Sequence, residues 1–161
     1  MVQVLEKEYY KTVVISESKD IREIKDSLNE LLYVPDEYLK PKVIEELCGY
    51  ILSKFSNPEY KLKVFIAYIG SEVCGFVIVQ IDPYYTSYSR KCGTFGWLYA
   101  NNIDSCRDLI KQCELFVKKN KLRRLRGPIN FPKSLGGIGI QNEGFNQPML
   151  YGVAFSNPKL H

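Results

Sequence analysis

Apolar positions set the pattern of elements along this chain. The stretch from Val2 to Ile15 predicts one or two strands. Asp20 then stands as a helix N-cap with Glu23 three residues on, and Ile21, Ile24, Leu28, Leu31 and Leu32 recur at helical spacing. Pro35 ends that helix. A second amphipathic helix begins at Pro41, a favourable first-turn position, and carries Val43, Ile44, Leu47, Cys48, Ile51, Leu52 and Phe55 on one side up to Ser56-Asn57-Pro58. Two dense apolar runs follow, Leu62 to Ile69 and Val73 to Ile81, joined by Gly70-Ser71-Glu72. They predict a hairpin over residues 61–81, central in its sheet because nearly every position is apolar. Asp82-Pro83 opens a polar loop holding Tyr84, Tyr85 and Tyr88, and a strand near Cys92 to Ala100 comes next.

The strongest helix signal covers 104–120. Cys106, Leu109, Ile110, Cys113, Phe116 and Val117 form one apolar stripe, Asn102 or Asp104 can cap its start, and Lys118, Lys119 and Lys121 suit its C-terminal dipole. A short strand at Leu122 to Leu125, the Gly127-Pro128 stop, a glycine-rich turn and a last strand near Met149 to Phe155 complete the chain. The order β, α, α, β, β, β, α, β, loop or short helix, β predicts an α/β (α+β) domain. Its sheet is mixed, mostly antiparallel and flanked by helices.

Composition narrows the function classes. A length of 161 residues fits one domain over 1–161, and 45% hydrophobic with 25% charged residues is ordinary for a globular protein rather than a disordered one. The N-terminus MVQVLEKEYYK has no signal-peptide h-region and no apolar run is long enough to span a bilayer, so a cytoplasmic protein without membrane partners is expected. The five cysteines form no CxxC pair and no zinc spacing, and they read first as small buried hydrophobes. The only histidine is His161. A His-based triad, a His general base and an ordinary His-containing metal site are thereby disfavoured.

The element order, with particular residues, resembles the GCN5-related N-acetyltransferase superfamily. Ala67-Tyr68-Ile69-Gly70-Ser71-Glu72-Val73-Cys74-Gly75-Phe76 is similar to its second and third strands, and Asn142-Glu143-Gly144-Phe145 to the Gly-Phe before its late strands. Gly93-Thr94-Phe95-Gly96-Trp97-Leu98, Arg126-Gly127-Pro128-Ile129-Asn130-Phe131 and Pro148-Met149 resemble a divergent acetyltransferase-like branch with a Gly-Pro-x-Asn-Phe segment. The resemblance covers about residues 60 to 155. It implies acyl transfer from acetyl-CoA to a small-molecule or peptide amine, with donor contacts at Leu98, Ala100, Asn101, Asn102 and Ser105. Arg123, Arg124 and Arg126 are candidate contacts to the CoA nucleotide. Tyr99, at the end of the fourth strand, and Asn130 are the candidate catalytic residues, and Tyr84, Tyr85 and Tyr88 the candidate acceptor cleft.

The chain also departs from that pattern. The superfamily's Arg/Gln-x-x-Gly-x-Gly/Ala loop uses bare backbone at a helix N-terminus to hold the pyrophosphate. Here the junction reads Tyr99-Ala100-Asn101-Asn102-Ile103-Asp104-Ser105, without glycine and with an added negative charge. Directly after Asn130 the chain reads Phe131-Pro132-Lys133-Ser134-Leu135, with no tyrosine there to protonate the CoA thiolate. Leu135-Gly136-Gly137-Ile138-Gly139 lacks the lysine and Ser/Thr of a P-loop and reads as a structural turn. Lys118 to Arg126 holds six basic residues in nine, either a solvated face or a phosphate contact. No RNP-type aromatic motif accompanies it, which argues against nucleic acid. Two readings stay open: an acyl-CoA-dependent N-acyltransferase with a degenerate donor loop, and a non-catalytic binding module on the same fold.

Overall fold

The computed structural model describes residues 10–136 and Glu143. The expected glycine turn at 137–139 and last strand near Met149 to Phe155 lie outside the described residues, as does the start of the first apolar stretch. Within them run β1 (Tyr10–Ile15), one turn of 3-10 helix, α1 (Ile21–Leu31), α2 (Leu39–Phe55), β2 (Lys61–Ile69), β3 (Glu72–Ile81), β4 (Thr86–Ser87), β5 (Arg90–Lys91), β6 (Gly93–Ala100), α3 (Ile103–Lys119) and β7 (Leu125–Arg126). Among the described residues, five strands form one sheet in the order β1-β2-β3-β6-β7. All its neighbours are antiparallel except β6 and β7. This is the mixed, mostly antiparallel sheet that the apolar pattern predicts.

The two faces of the sheet explain why β2 and β3 are apolar at nearly every position. Val64, Ile66, Phe76 and Ile78 pack under α1 and α2, while Phe65, Ala67, Val77 and Val79 pack under α3. Strands covered on both sides lose the polar alternation of a half-exposed sheet. Gly70, at φ +61°, makes the tight turn between them.

Local details differ from the sequence expectations for identifiable reasons. Asp20 sits at the N-cap of α1 but makes no side-chain cap bond. The Glu23 carboxylate expected in a capping box instead accepts a hydrogen bond from the Tyr68 hydroxyl at 3.0 Å. The second helix starts two residues before Pro41, because Asp36 Oδ1 accepts from the amides of Tyr38 and Leu39. On α3 the fully buried residues include Ser105, Leu109, Cys113, Phe116 and Val117, whereas Cys106 and Ile110 are half-buried. The buried stripe is thus rotated slightly towards Ser105. The strand expected at Leu122 to Leu125 shifts to Leu125–Arg126, since the Leu122 amide bonds the Val117 carbonyl and closes the end of α3. Part of the tyrosine-rich loop folds into the β4–β5 ribbon, with Tyr88 and Ser89 at φ +50° and +57° in its turn.

Burial also sets a pH response. Desolvation pushes the Cys113 thiol up to about 12 and, outweighing the opposing hydrogen bond to Gln80, the Tyr50 phenol up to about 12. Their ordinary values are 9.0 and 10.0. The folded chain therefore keeps protons that the unfolded chain releases above about pH 9. Stability is at its full value below that pH and falls as pH rises through the 9–12 window. Urea denaturation at about pH 10.5 is expected to give a stability lower than at pH 8 by on the order of 1–3 kcal/mol. A flat profile contradicts the burial of these two groups.

Candidate functional site

The most unusual backbone lies where β6 and β7 part. They pair only at Gly93–Leu125 and Thr94–Arg126. Beyond that point the chain runs through Gly127-Pro128-Ile129-Asn130-Phe131 and holds the β6 edge by other bonds. The Ile129 amide donates to the Phe95 carbonyl at 2.8 Å, and the Trp97 indole Nε1–H donates to the Phe131 carbonyl at 2.7 Å. Between them the Trp97 backbone N–H donates to Asn130 Oδ1 at 2.6 Å.

A bulge in β6 turns that amide outward. Phe76 pairs with Tyr99 and Ile78 with Gly96, so Trp97 and Leu98 together stand opposite Val77. Trp97 has φ +51°, a left-handed conformation that costs a residue with a Cβ about 1–2 kcal/mol. The bulge also reverses facing: Phe95 packs towards α3, but Trp97 and Tyr99 pack towards α1 and α2. Gly96 permits the close passage of the strap, because a Cβ there would collide with the Ile129 carbonyl and lie 3.0 Å from Asn130 Oδ1. Beneath the strap, Gln80 and Tyr50 help line a cavity of about 10 Å³, room for roughly one water. Tyr50 donates its hydroxyl hydrogen to Gln80 Oε1 at 2.7 Å, while the buried Gln80 Nε2 has no partner among the described residues.

At the far end of β6 lies the N-terminus of α3. Asn102 is its N-cap, and its Oδ1 accepts from the Ser105 amide at 2.8 Å. The Asn101 amide is bonded to the Cys74 carbonyl at 2.8 Å, and the Ser105 hydroxyl to the Asn102 carbonyl at 3.0 Å. Ile103 and Asp104 are exposed, and the Asp104 carboxylate pairs with Arg107 at 3.3 Å. Two of the amides that could face an anion are thus already engaged within the chain.

The sequence-predicted residues fall into separate places. Leu98, Ala100, Asn101, Asn102 and Ser105 do gather at the end of β6 and the start of α3. Arg123, Arg124 and Arg126 follow the other end of α3, roughly 25 Å away by the rise of a 17-residue helix, and so do not join them in one anion site. Tyr99 is buried in the α1–α2 core, and burial raises its pKa, leaving a neutral phenol that is a poor base. Asn130 is at the strap. The three loop tyrosines diverge: Tyr84 bonds the Glu59 carboxylate at 3.0 Å, Tyr85 meets the Phe131 ring edge-on at 6.2 Å, and exposed Tyr88 borders the arginines. Sequence reasoning missed the Trp97 amide. Its one signal was Gly96 inside an apolar strand, a mark of a bulge or a close backbone approach.

The described fold as a whole is similar to solved structures. The fold is that of the GCN5-related N-acetyltransferases. A protein of that name from Ralstonia eutropha has a TM-score of 0.50 at 11% identity, with 74% of this chain and 84% of that chain covered. A Clostridium acetobutylicum protein predicted to be an acetyltransferase, solved with acetyl-CoA, has a TM-score of 0.54 at 14% identity over 73% and 79%. The aminoglycoside N-acetyltransferase AAC(6')-Iy in complex with CoA has a TM-score of 0.54 at 12% identity over 80% and 82%. No family model matches the sequence, and no curated protein matches it. Identities this low establish the N-acetyltransferase fold and not an activity.

The strap gives a direct mutational contrast. Gly96→Ala should destabilise the chain by about 2 kcal/mol or more, because the Ile129 backbone cannot move aside without breaking its own bond. Gly49→Ala, in α2 with open space around its Cβ, should stabilise it by about 0.5–1 kcal/mol. Thermal denaturation of both variants tests this, and equal shifts would contradict the close passage at Gly96.

Proposed function

We propose that the chain is an acyl-CoA-dependent N-acyltransferase whose carbonyl-binding group is the Trp97 amide. The observation that carries this reading is the 2.6 Å bond to Asn130 Oδ1, because an amide carbonyl already occupies that N–H. An acyl-CoA supplies a thioester whose carbonyl oxygen gains negative charge when an amine attacks the adjacent carbon. A fixed backbone N–H aimed at that oxygen stabilises the charge, and one such donor is typically worth about 3–4 kcal/mol of barrier. Trp97 is held for this by the bulge, by its buried side chain and by the indole bond to Phe131. The Asn130 side chain is then a stand-in that rotates away when the donor binds.

The other residues divide the remaining work. Leu98 and Ala100 continue the same edge of β6 towards the start of α3, where Asn101, Asn102 and Ser105 border the donor. The added charge of Asp104 and the Asn102 cap make this end a poor pyrophosphate site, so donor affinity is weak, high-micromolar or roughly −5 kcal/mol. Arg123, Arg124 and Arg126 act elsewhere. Tyr85, against Phe131, borders the acceptor, which is a small-molecule or peptide amine. The name of the aminoglycoside N-acetyltransferase relative supports an amine acceptor. Tyr99 stays neutral, and the amine arrives already deprotonated, so rate rises with pH along the amine's own titration.

A second reading is favoured by the same contact. If Asn130 never leaves, the site is closed and the chain is a binding module on this fold, without acyl transfer. Calorimetric titration of acetyl-CoA into wild type and Asn130→Ala separates the two. The variant leaves the Trp97 N–H without its partner, a loss of about 1–3 kcal/mol that a donor carbonyl recovers, so acetyl-CoA should bind at least fivefold more tightly. Unchanged affinity, or no binding by either protein at millimolar ligand, supports the module. Circular dichroism establishes that the variant is folded.

A further inference from the structure

Away from the strap, three cavities run round the C-terminal end of α3. One of about 360 Å³ lies between that end and the start of β2, and Lys54, Lys61, Lys63 and Lys119 help line it. The next, about 400 Å³, is bordered by Lys118, Arg123 and Arg124. The third, about 470 Å³, shares those two arginines and adds Arg126 and Tyr88. Among the described residues, eight Lys and Arg line this rim against a single acidic residue, Glu114. These rim residues alone carry +7, against +4 for the whole chain. None of these eight cations belongs to an ion pair among the described residues.

Helix dipoles account for part of this charge only. Lys54 lies in the last turn of α2, and Lys118 and Lys119 in the last turn of α3, where a cation offsets the partial negative charge. Lys61 and Lys63 on β2, and Arg123, Arg124 and Arg126 beyond α3, have no such reason to gather there. The fold brings them together from positions some 60 residues apart, and Lys61 reaches across to Asn120 Oδ1 at 2.8 Å. Aromatic rings lie among the cations: Lys54 Nζ sits 3.7 Å over Tyr60, Phe55 and Phe116 line the first cavity, and Tyr88 stands 88% exposed at the tip of the ribbon.

We propose that this rim is a docking surface for single-stranded nucleic acid. Lys and Arg outside ion pairs, ranged along neighbouring grooves, follow a phosphate backbone, and interleaved aromatic rings offer faces on which unstacked bases rest. The arginine forks beside Ser87 suit phosphate oxygens, and Arg126 is held in place by its 2.8 Å bond to the Ser87 hydroxyl. The linear sequence points the other way because it shows only the Lys118–Arg126 run. The three lysines from α2 and β2, and the aromatic residues beside them, join it only in the fold. The proposal does not depend on acyl transfer.

Fluorescence anisotropy with a labelled 20-nucleotide oligo(dT), using the full chain, tests it. Binding is expected at about 50 mM salt, with log K falling against log salt at a slope of magnitude about 3 or more, as for several single-strand phosphate contacts. The triple variant Lys54→Ala/Arg123→Ala/Arg124→Ala should bind at least tenfold more weakly and lose about 2 from that slope. The charge-keeping variant Lys54→Arg/Arg123→Lys/Arg124→Lys should retain most of the affinity. Tyr88→Ala should weaken oligo(dT) without changing the slope. No binding at low salt, an unchanged slope in the triple variant, or equal displacement by poly-glutamate of matched charge would each overturn the proposal. The last would identify an acidic protein segment as the partner instead.

Discussion

The hydrogen bond from the Trp97 amide to Asn130 Oδ1 ties together features that otherwise look unrelated. A bulge in β6 and a left-handed tryptophan turn one N–H out of the sheet, where β7 no longer accepts it. An amide left bare in that part-buried position would cost about 1–3 kcal/mol. Asn130 removes the cost, but only if the strap after β7 passes directly over β6, and that passage requires a glycine at position 96. The indole bond to the Phe131 carbonyl and the Ile129 bond to Phe95 fix the strap on either side of the contact. The same geometry that stabilises the fold thus presents an outward amide matched to a carbonyl oxygen.

The two ends of β6 and α3 have separate physical requirements, so residues at the start of α3 can vary without disturbing the sheet. The sheet is held by two apolar layers, one under α1 and α2 and one under α3, and neither layer uses residues 101 to 104. The start of α3 needs only a cap, and Asn102 supplies it from within the chain. The Asn102 side chain takes the Ser105 amide at that terminus without glycine in the preceding turn. The opposite end of α3 has gathered an excess of positive charge that the fold itself does not require.

Much of the architecture was legible in the residues. The doubly apolar runs around Gly70 specified a central hairpin, and the stripe through Leu109, Cys113, Phe116 and Val117 specified the helix packed on it. Local periodicity carries such information because each element buries its own face. The missing glycines before α3 were equally plain. What sequence could not give were contacts between distant segments. Asn130 and Trp97 are 33 residues apart, and Gly96, the one local signal beside Trp97, marks a bulge or close approach without naming Asn130 as the partner. The capping box at Asp20 and Glu23 had the right spacing, yet Tyr68 on β2 takes the Glu23 carboxylate. Arg123 to Arg126 and Asn101 to Ser105 carried one expected function, but a rigid helix holds them at its opposite ends. Tyr99 lay at the expected strand end, and only packing revealed that it faces the core.

The most direct measurement is amide NMR of the isotopically labelled chain during titration with acetyl-CoA. If the Trp97 amide is the carbonyl-binding group, its backbone resonance and the Asn130 side-chain amide resonances should shift together, saturating along one curve. The Ser105 amide, held by Asn102, should move less. Trp97 and Asn130 signals that stay unmoved at millimolar acetyl-CoA, with or without a shift at Ser105, would contradict the account.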